Sequence, residues 1–450
     1  MKLSEIAYVI DGITVGNTDK EITGFVIDSR KVKKGDIFVC LKGARVDGHD
    51  YIRQAEQAGA SAFLCEHALD TKLPYIKTQS SLEGLQKYAA WYKSRFDILT
   101  VAVTGSVGKT TTKEFIYAVL SSKFNTHKTE GNMNSETGLP LTLLGIKEHH
   151  EAMVIEMGMS NLGEISILSR LAHPDIAVIT NIGVSHIEFL GSQENIMKAK
   201  MEILDGLNPS GSLILNGDDK LLKKKRNAFK DVSMYSVGRC DCEYTAHDIL
   251  LGELSTSFLA VTPIGNIDIE IPVEGFHNVS NALAAIAVGV KVGIPLDMIK
   301  KGLLSFKNIP LRQNIYEKDG ILVIDDCYNA SPSSIMAAIE VLKRKKGRKV
   351  VILGDMLELG DFASALHYEV GQKLEGIDLL LCYGNYASSY IEGALNVGLS
   401  TTVCFQCGNT EETADKLSEL AKKGDCILFK ASRGMGAEKV IEKFFERWSS

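Results

Sequence analysis

Residues 101–112, VAVTGSVGKTTT, decide how the rest of this chain folds. The apolar stretch from Leu99 to Val103 alternates and branches as a buried strand does, and apolar residues at helical spacing follow the turn. Between strand and helix, Gly105 and Gly108 let the backbone curl, so that several N–H groups and a helix N-terminus point at one anion. The segment is therefore predicted to be a shortened phosphate-binding loop.

Two polar side chains of this loop carry the predicted chemistry. Lys109 would bring a positive charge to the β- and γ-phosphates of a nucleotide, and Thr110 would offer a hydroxyl to Mg²⁺. A glycine-rich turn with a solvated lysine is the alternative interpretation. The position of Gly-Lys-Thr-Thr at a strand-to-helix junction favours phosphate binding.

Length and composition bound the class of protein. At 450 residues the chain exceeds the size at which one hydrophobic core keeps growing, so two or three domains are expected. With 45% hydrophobic and 24% charged residues, the composition is that of a globular protein and not of a disordered one. A net charge of −6 gives no basic footprint for nucleic acid, and the basic runs at 223–226 and 343–346 are expected to be solvated helix ends. Without a signal-peptide pattern or a membrane-spanning run, a cytoplasmic protein is expected.

The cysteines do not predict a disulfide framework, because the nine of them are odd in number and scattered. Cys404 with Cys407, or Cys240 with Cys242, could form half of a zinc site. Their flanks lack the paired ligand spacing, so we expect small buried hydrophobic residues instead.

Three α/β regions follow one another, at 1–97, 98–310 and 311–450. In the first, short strands and a helix are joined by polar turns at 28–30 and 42–49, which gather hydroxyl, guanidinium and ammonium donors. Such donors suit an anionic nucleotide or a sugar phosphate. Ordinary surface loops would have the same composition, so the residues alone leave both interpretations open.

In the central region, strands alternate with helices after the phosphate loop. One strand ends at Glu156 and the next leads to His186, and parallel sheets place ligands at the carboxyl ends of their strands. The pair could hold Mg²⁺ or substrate phosphate, and the polar loop at 130–140 is a candidate substrate clamp. Residues 235–275 suggest an antiparallel edge. Asn278 or Asn281 could contact a purine, although helix capping is the alternative.

The last region contains five apolar strands separated by helical segments, which predicts a doubly wound α/β domain. Its strand ends carry polar segments at 325–332, 354–360 and 430–433. We expect this rim to face the phosphate loop of the central region and to complete a site between the two domains.

In order and spacing, these motifs resemble those of the Mur ligase family over essentially the whole chain. The resemblance rests on the phosphate loop, Glu156, the turn at 181–186, Lys200 and the segment 277–281. Further segments are most similar to the branch of the family that adds D-alanyl-D-alanine: 131–134, 138–140, 325–332, and 354–360 with His367.

The resemblance implies an α/β fold of three domains. These are a small α/β domain for a UDP substrate at 1–97, a central P-loop ATPase-type domain with a mainly parallel sheet at 98–310, and a Rossmann-like doubly wound domain at 311–450. The last domain is expected to close over the central one, since each half of the site is incomplete alone.

The resemblance also implies a reaction. The terminal carboxylate of UDP-N-acetylmuramoyl-tripeptide would attack the γ-phosphate of ATP, and the amine of D-alanyl-D-alanine would displace phosphate from the acyl phosphate. The implied cofactors are ATP, two Mg²⁺ ions and a carbamate on Lys200, which turns a cation into an anionic metal ligand. The two peptide substrates are the implied partners, with no nucleic acid, no membrane insertion and a monomeric chain.

Roles for individual residues follow from the same resemblance. The catalytic residues would be Lys109, Glu156, His186 and Lys200, and the metal ligands Thr110, Glu156, His186 and the carbamylated Lys200. ATP would contact Thr104, Gly105, Ser106, Val107, Gly108, Lys109, Thr110, Thr111, Asn281, Arg312 and Asp326. The UDP end would be held by Ser29, Arg30, Lys42, Gly43, Asp47, Gly48 and His49. The other substrate contacts would be Asn132, Asn134, Asn329, Ser432 and Arg433.

Two alternatives stay open at this point. The same ligase chemistry could serve another acceptor, as in the sibling that adds a diamino acid or in a folylpolyglutamate synthase-like enzyme. The sibling that adds a diamino acid usually carries an Asp-Asn-Pro segment in its last domain, and this chain has none there. The folylpolyglutamate synthase-like enzyme lacks support because a candidate UDP site precedes the ATPase region here. A phosphate-loop protein that uses ATP as a switch is the alternative from another class. Whether lysine or diaminopimelate is the third peptide residue is left undecided.

Overall fold

The protein is described here by a computed structural model covering residues 1–43, 46–238 and 241–448. It contains three mixed, mainly parallel sheets of five, nine and six strands, each covered by helices. The predicted fold class, three α/β domains, is confirmed. The predicted boundaries, at 97/98 and 310/311, fall between the sheets and stay predictions.

The first domain is built on short strands. Its strands are Ile13–Val15 (β1), Gly24–Val26 (β2), Asp36–Val39 (β3), Ala62–Cys65 (β4) and Tyr75–Lys77 (β5), and its helices are Leu3–Val9 (α1), Ile52–Ala58 (α2) and Ser81–Lys93 (α3). The sheet order is β1-β5-β4-β3-β2, with only β1 antiparallel to its neighbour. The short strands and the helix that the sequence predicts for this region are present, whereas β1, β2 and β5 have three residues each and too little periodicity to be recognised.

The central domain has nine strands. They are Leu99–Thr104 (β6), Thr126–Lys128 (β7), Ala152–Glu156 (β8), Ile176–Ile179 (β9), Ser212–Asn216 (β10), Val232–Val237 (β11), Tyr244–Leu251 (β12), Thr256–Thr262 (β13) and Gly265–Ile271 (β14). The helices are Lys109–Ser121 (α4), Gly138–Leu144 (α5), Glu164–Ala172 (α6), Ile187–Leu190 (α7), Gln193–Met201 (α8), Lys220–Lys223 (α9), Phe276–Lys291 (α10) and Leu296–Leu304 (α11).

The order of these strands places the phosphate loop. The sheet runs β14-β13-β12-β11-β10-β9-β6-β8-β7; β7 to β12 are parallel, and β13 and β14 form the predicted antiparallel edge. The strand β6 lies between β8 and β9, so the strand order reverses beside it. Ligands bind at the carboxyl ends of the strands at such a switch point, which is where the loop after β6 lies.

Alternation along β6 explains why this strand is fixed. Val101 and Val103 pack with Phe115 of α4 on one face of the sheet, whereas Ala102 packs with Ile155 on the other face. A shift of one residue would exchange the two sets, so the register of β6 and hence the position of the phosphate loop are strongly specified.

The last domain has a sheet of six strands. They are Asn314–Lys318 (β15), Ile321–Asp325 (β16), Lys349–Gly354 (β17), Leu379–Tyr383 (β18), Cys404–Cys407 (β19) and Cys426–Lys430 (β20). The helices are Pro332–Arg344 (α12), Ala363–Gly371 (α13), Ala387–Asn396 (α14), Thr410–Leu420 (α15) and Ala437–Trp448 (α16). The order is β15-β16-β20-β17-β18-β19. All pairs are parallel except β15 with β16, and the sequence missed β15, whose residues are at most half-buried.

The cysteines behave as packing residues where the structure describes them. Cys404 and Cys407 lie in the hydrophobic cores on opposite faces of the last sheet, so they do not converge on one ion. Cys240, the other half of the second candidate pair, lies outside the described residues. No helix in the described part of the chain is both long and apolar enough to cross a bilayer.

Candidate active site

A cavity of about 690 Å³ lies between the central and the last domain. Its walls include the phosphate loop, the carboxyl ends of β8 and β9, the start of α10, the linker after α11 and the loop after β16. The predicted site residues that line it are Ser106, Val107, Gly108, Lys109, Thr110, Thr111, Asn134, Glu156, His186, Asn281, Arg312, Asp326 and Asn329. Residues from the central and the last region therefore meet in one cavity.

The phosphate loop requires glycine at two positions. Gly105 has φ +150°, and a Cβ there would lie 1.9 Å from Thr180 Oγ1. Gly108 has φ +84° and immediately precedes α4, and its Cβ would lie 2.7 Å from Asn281 Oδ1. Side chains at either position would close the turn, so the backbone N–H groups at the start of α4 could no longer face the cavity.

The loop is held from the neighbouring strand by residues that the prediction left out. Asn181 Oδ1 accepts a hydrogen bond from Val107 N (2.9 Å), and its Nδ2 donates to Val107 O (2.8 Å). Thr180 Oγ1 donates to the same carbonyl (2.6 Å). Both residues follow β9 at the switch point, and that position is the signal that could have identified them.

Lys109 lies within its own loop. Its Nζ donates to Gly105 O (2.8 Å) and lies 3.4 Å from Ser106 O. Burial lowers the pKa of Lys109; the charge of Glu156 opposes this shift, and that of Arg312 adds to it. The ammonium group is thus enclosed by backbone oxygens in a wall of the cavity, next to a carboxylate.

Glu156 ends β8 with only 2% of its surface exposed. Asn134 Nδ2 donates to its Oε1 (2.8 Å), while its Oε2 is buried and has no hydrogen-bond partner among the residues that the structure describes. A buried carboxylate oxygen without a donor is costly unless a cation or another ligand satisfies it. This oxygen therefore fits a metal-binding role.

His186 connects the two domains. It has φ +65°, and its Nδ1 lies 2.5 Å from Oε2 of Glu358, a residue of the last domain. Glu188 N also donates to Glu358 O (3.2 Å). The adjacent imidazole lowers the pKa of the Glu358 carboxyl. The ring of His186 thus lies in the wall of the cavity at the contact between the domains.

Lys200 lies on α8 beneath this wall and is 2% exposed. It has no hydrogen-bond or ion-pair partner within the described ranges, and it does not line the cavity itself. Burial, and to a smaller extent the charge of Lys109, lower its pKa well below the ordinary value. A neutral buried amine is the form that can react with CO₂, so Lys200 fits the predicted carbamate.

The linker and the loop after β16 approach the phosphate loop from the far side. Arg312 Nη2 donates to Thr110 Oγ1 (2.8 Å), and the guanidinium lies 4.0 Å from the centroid of the Tyr328 ring. Asn281 accepts from Thr112 Oγ1 (3.1 Å) and donates to Asn278 Oδ1 (3.3 Å). Its amide is therefore already engaged behind the phosphate loop, and its contact with adenine stays a prediction.

Some predicted residues do not line this cavity. Thr104 is buried and donates to Met157 O (2.9 Å), and Gly105 and Lys200 also lie behind the wall. Asn132 is exposed on the loop before α5. Ser432 Oγ accepts from Leu357 N (2.9 Å), which fixes the loop after β17, and its contact with a peptide substrate stays a prediction. Arg433 is exposed and pairs with Glu438 (3.5 Å).

His367 has a structural environment in spite of its place in the motif. It is fully buried, its Nε2 accepts from Met356 N (2.9 Å), and its Nδ1 lies 2.6 Å from Ala363 O. These partners fix a neutral ring with the proton on Nδ1. Burial lowers the pKa of His367, which agrees with that tautomer.

A second cavity of about 290 Å³ lies in the first domain. Its lining consists of Lys42, Gly43, Val46, Asp47, Asp50 and Tyr51. The predicted loop at 42–49 thus supplies several of its walls, although Ala44 and Arg45 lie outside the described residues. A Cβ at Gly48 would lie 2.6 Å from Leu41 N, so only glycine fits there.

The other predicted residues of the first domain are engaged within the protein. His49 Nδ1 lies 2.6 Å from Asp47 Oδ1, and its Nε2 accepts from Glu66 N (3.1 Å). Ser29 Oγ donates to Gln54 Oε1 (3.0 Å). Arg30 is exposed and binds Asp28 through two nitrogens, which lowers the pKa of that carboxyl to about 2.

Three family models match the chain in succession. They are described as "Mur ligase family, catalytic domain" at residues 21–100, "Mur ligase middle domain" at 103–289 and "Mur ligase, glutamate ligase domain" at 312–433. Together they include strands of all three sheets, in the order that the sequence resemblance predicted.

Full-length relatives agree with these models. The UDP-N-acetylmuramoyl-tripeptide–D-alanyl-D-alanine ligase of Bacillus subtilis is 41% identical, over 99% of this chain and 98% of its own. A crystal structure of MurF from Acinetobacter baumannii superimposes with a TM-score of 0.90 at 31% identity, over 99% of this chain and 98% of that one. MurF ligase from Thermotoga maritima in complex with ADP gives a TM-score of 0.83 at 34% identity, over 95% and 98%. The chain therefore belongs to the Mur ligase family, and within it to the MurF branch.

Proposed function

We propose that this protein is an ATP-dependent ligase that joins D-alanyl-D-alanine to UDP-N-acetylmuramoyl-tripeptide, a step in the synthesis of peptidoglycan precursors. One observation supports the proposal most directly: the phosphate loop and the polar loop after β16 of the last domain line one cavity. An ATPase site and a substrate rim that share a cavity suit a transfer between ATP and a second molecule better than a switch, which needs no acceptor.

The chemistry has two steps. A carboxylate oxygen of the tripeptide attacks the γ-phosphorus, the bond to the β-phosphate oxygen breaks, and ADP leaves. The amine of D-alanyl-D-alanine then attacks the acyl carbon, the bond to the phosphate oxygen breaks, and the amine loses a proton. Phosphoryl transfer depends mainly on positioning and electrostatics. Lys109 and the backbone N–H groups at the start of α4 would supply both, and Asn181 holds the loop that carries them.

The metal and the carbamate remain proposals that the side chains fit. Thr110, Glu156, His186 and a carbamylated Lys200 would hold Mg²⁺, which would reduce the repulsion between the carboxylate and the triphosphate. The unpartnered Oε2 of Glu156 and the buried amine of Lys200 support this assignment. Mass spectrometry under native conditions in ¹³CO₂ would detect the carbamate, and Lys200→Arg, which cannot carry it, is the matched negative control.

The UDP end of the substrate would bind in the first domain at the smaller cavity. Lys42 and Gly43 line this cavity, and the Lys42 ammonium would supply a cation for a diphosphate. Nucleotide-linked substrates agree with the predicted cytoplasmic location, and the predicted monomer can be checked by sedimentation.

The test measures phosphate release from ATP and Mg²⁺, with UDP-N-acetylmuramoyl-tripeptide and D-alanyl-D-alanine each omitted in turn. Tripeptides with lysine and with diaminopimelate are supplied in parallel to determine the third residue. Release that requires both substrates, with a pentapeptide product by mass, supports the ligase. Lys109→Met should abolish this release, whereas Lys123→Met, an exposed change just beyond the end of the same helix, should not. Release indifferent to both substrates would instead favour the switch-type ATPase.

A further inference from the structure

Lys430 is a buried cation of the cavity wall to which the proposed mechanism gives no role. It is the last residue of β20, its side chain is 2% exposed, and it lines the cavity between the domains. A fully buried lysine is costly unless its three donors are satisfied by well-placed acceptors. The identity of those acceptors indicates what the residue does.

The acceptors of Lys430 in the described part of the chain all belong to the loop after β16. Lys430 Nζ lies 2.5 Å from Asp326 Oδ2, 3.0 Å from Asn329 O and 3.4 Å from Asp326 O. The other carboxylate oxygen of Asp326 accepts from Gln313 N (3.1 Å) in the linker between the domains. One ammonium group thus joins the two ends of the segment 326–329, and Asp326 ties that segment to the linker.

We propose that Lys430 is the positioning residue that fixes the loop 326–329 so that its two ends meet both substrates at once. This rests on the proposed function, in which Asp326 contacts ATP and Asn329 contacts a peptide substrate. Asn329 is exposed and lies on irregular backbone, so the helices and strands do not fix its place in the cavity. The ammonium of Lys430 supplies that constraint from behind the loop.

Charge and packing around the site support this assignment. Asp326 is only 17% exposed at its side chain, so removal of the ammonium would leave a nearly buried carboxylate with a single backbone donor. The energetic cost of such an unpaired charge is usually relieved by movement of the loop. Since the affected loop also carries Asn329, effects on ATP and on the acceptor should appear together.

The test compares Lys430→Met with Lys430→Gln, which can still donate to a backbone oxygen. Lys343→Met is the control, because that lysine is on the surface of α12 and, among the residues that the structure describes, its Nζ contacts only Lys373 O (3.1 Å) and Glu340 (3.7 Å). In Lys430→Met we expect kcat/KM to fall on the order of 100-fold, both for ATP and for D-alanyl-D-alanine. Lys430→Gln should be intermediate, and Lys343→Met should stay within about twofold.

A double variant separates positioning from a general loss of structure. If Lys430 acts through Asp326, then Asp326→Asn with Lys430→Met should lose no more activity than the worse of the two single variants. Multiplied losses, or a single variant with the wild-type kcat/KM for both substrates, would overturn the proposal. A fall for ATP alone would also overturn it, because the loop would then not couple the two ends. Wild-type enzyme assayed in parallel reports on the proposed function itself: if it forms no pentapeptide, that function fails whatever Lys430 does.

Discussion

Asn181→Ala should weaken the use of ATP although Asn181 is not one of the phosphate-loop residues. The side chain makes two hydrogen bonds to Val107, at 2.9 Å and 2.8 Å. After the change, Val107 O keeps its donor, the Thr180 hydroxyl, but Val107 N–H loses its acceptor. A donor left without a partner in a half-buried place costs about 2 kcal/mol, which corresponds to a fall of roughly 30-fold in kcat/KM for ATP.

Thr180→Val provides the matched control, because it removes a bond to the same carbonyl and keeps the shape of the side chain. Asn181 still donates to Val107 O in this variant, so we expect a fall of no more than about fivefold. Both variants are assayed by phosphate release with ATP varied and both peptide substrates saturating, and their thermal unfolding is recorded. The reasoning is refuted if Asn181→Ala stays within threefold of wild type, or if Thr180→Val is the more damaging change.

Three further predictions follow from other contacts. Gly108→Ala forces a Cβ to 2.7 Å from Asn281 Oδ1 at φ +84°, so nucleotide titration should show at least about 10-fold weaker binding; Gly163→Ala, at φ +91° with open space around it, should not weaken it. Glu274→Gln leaves Arg344 and Lys345 of the last domain without their buried carboxylate, and urea unfolding should show a loss of about 3 kcal/mol, against less than about 0.5 kcal/mol for the exposed Glu340→Gln. Burial lowers the pKa of His367 below 6.5, so the folded state binds fewer protons than the unfolded state. The free energy of unfolding should therefore fall as the pH drops below about 6.5, and it should fall less steeply in His367→Gln. Urea unfolding of both proteins at pH 7.5 and 5.5 measures this difference.

The phosphate loop could be predicted because its function and its local structure depend on the same residues. Gly105 and Gly108 are needed for the turn, Lys109 begins the helix, and the apolar alternation before them fixes the strand. The doubly wound pattern of the last domain was equally clear, because each buried parallel strand is a continuous apolar run. Strands of three residues and the half-buried β15 gave no such signal.

The supporting residues of the site were harder to predict, because their partners are distant in the sequence. Asn181 reaches Val107 across 74 positions, and Lys430 reaches Asp326 across 104. Neither residue type is unusual where it occurs: an asparagine in a turn and a lysine at a strand end are commonly solvated. Only the arrangement of β6 beside β9, and of β16 beside β20, turns them into neighbours of the site.

Ser432 and Arg433 show that a residue of such a motif need not line the cavity, and their contacts with a peptide substrate stay predictions. Both directly follow β20 at the predicted rim, yet Ser432 holds Leu357 N and Arg433 faces Glu438. The residue of that segment that lines the cavity is Lys430, because it ends the strand and points inward beside the loop after β16. A motif at a strand end thus combines residues that support a loop with residues that face the cavity, and only packing distinguishes the two. The same distinction applies to Lys200. Its burial without a partner within the described ranges supports the proposed carbamate more directly than its position in the sequence does.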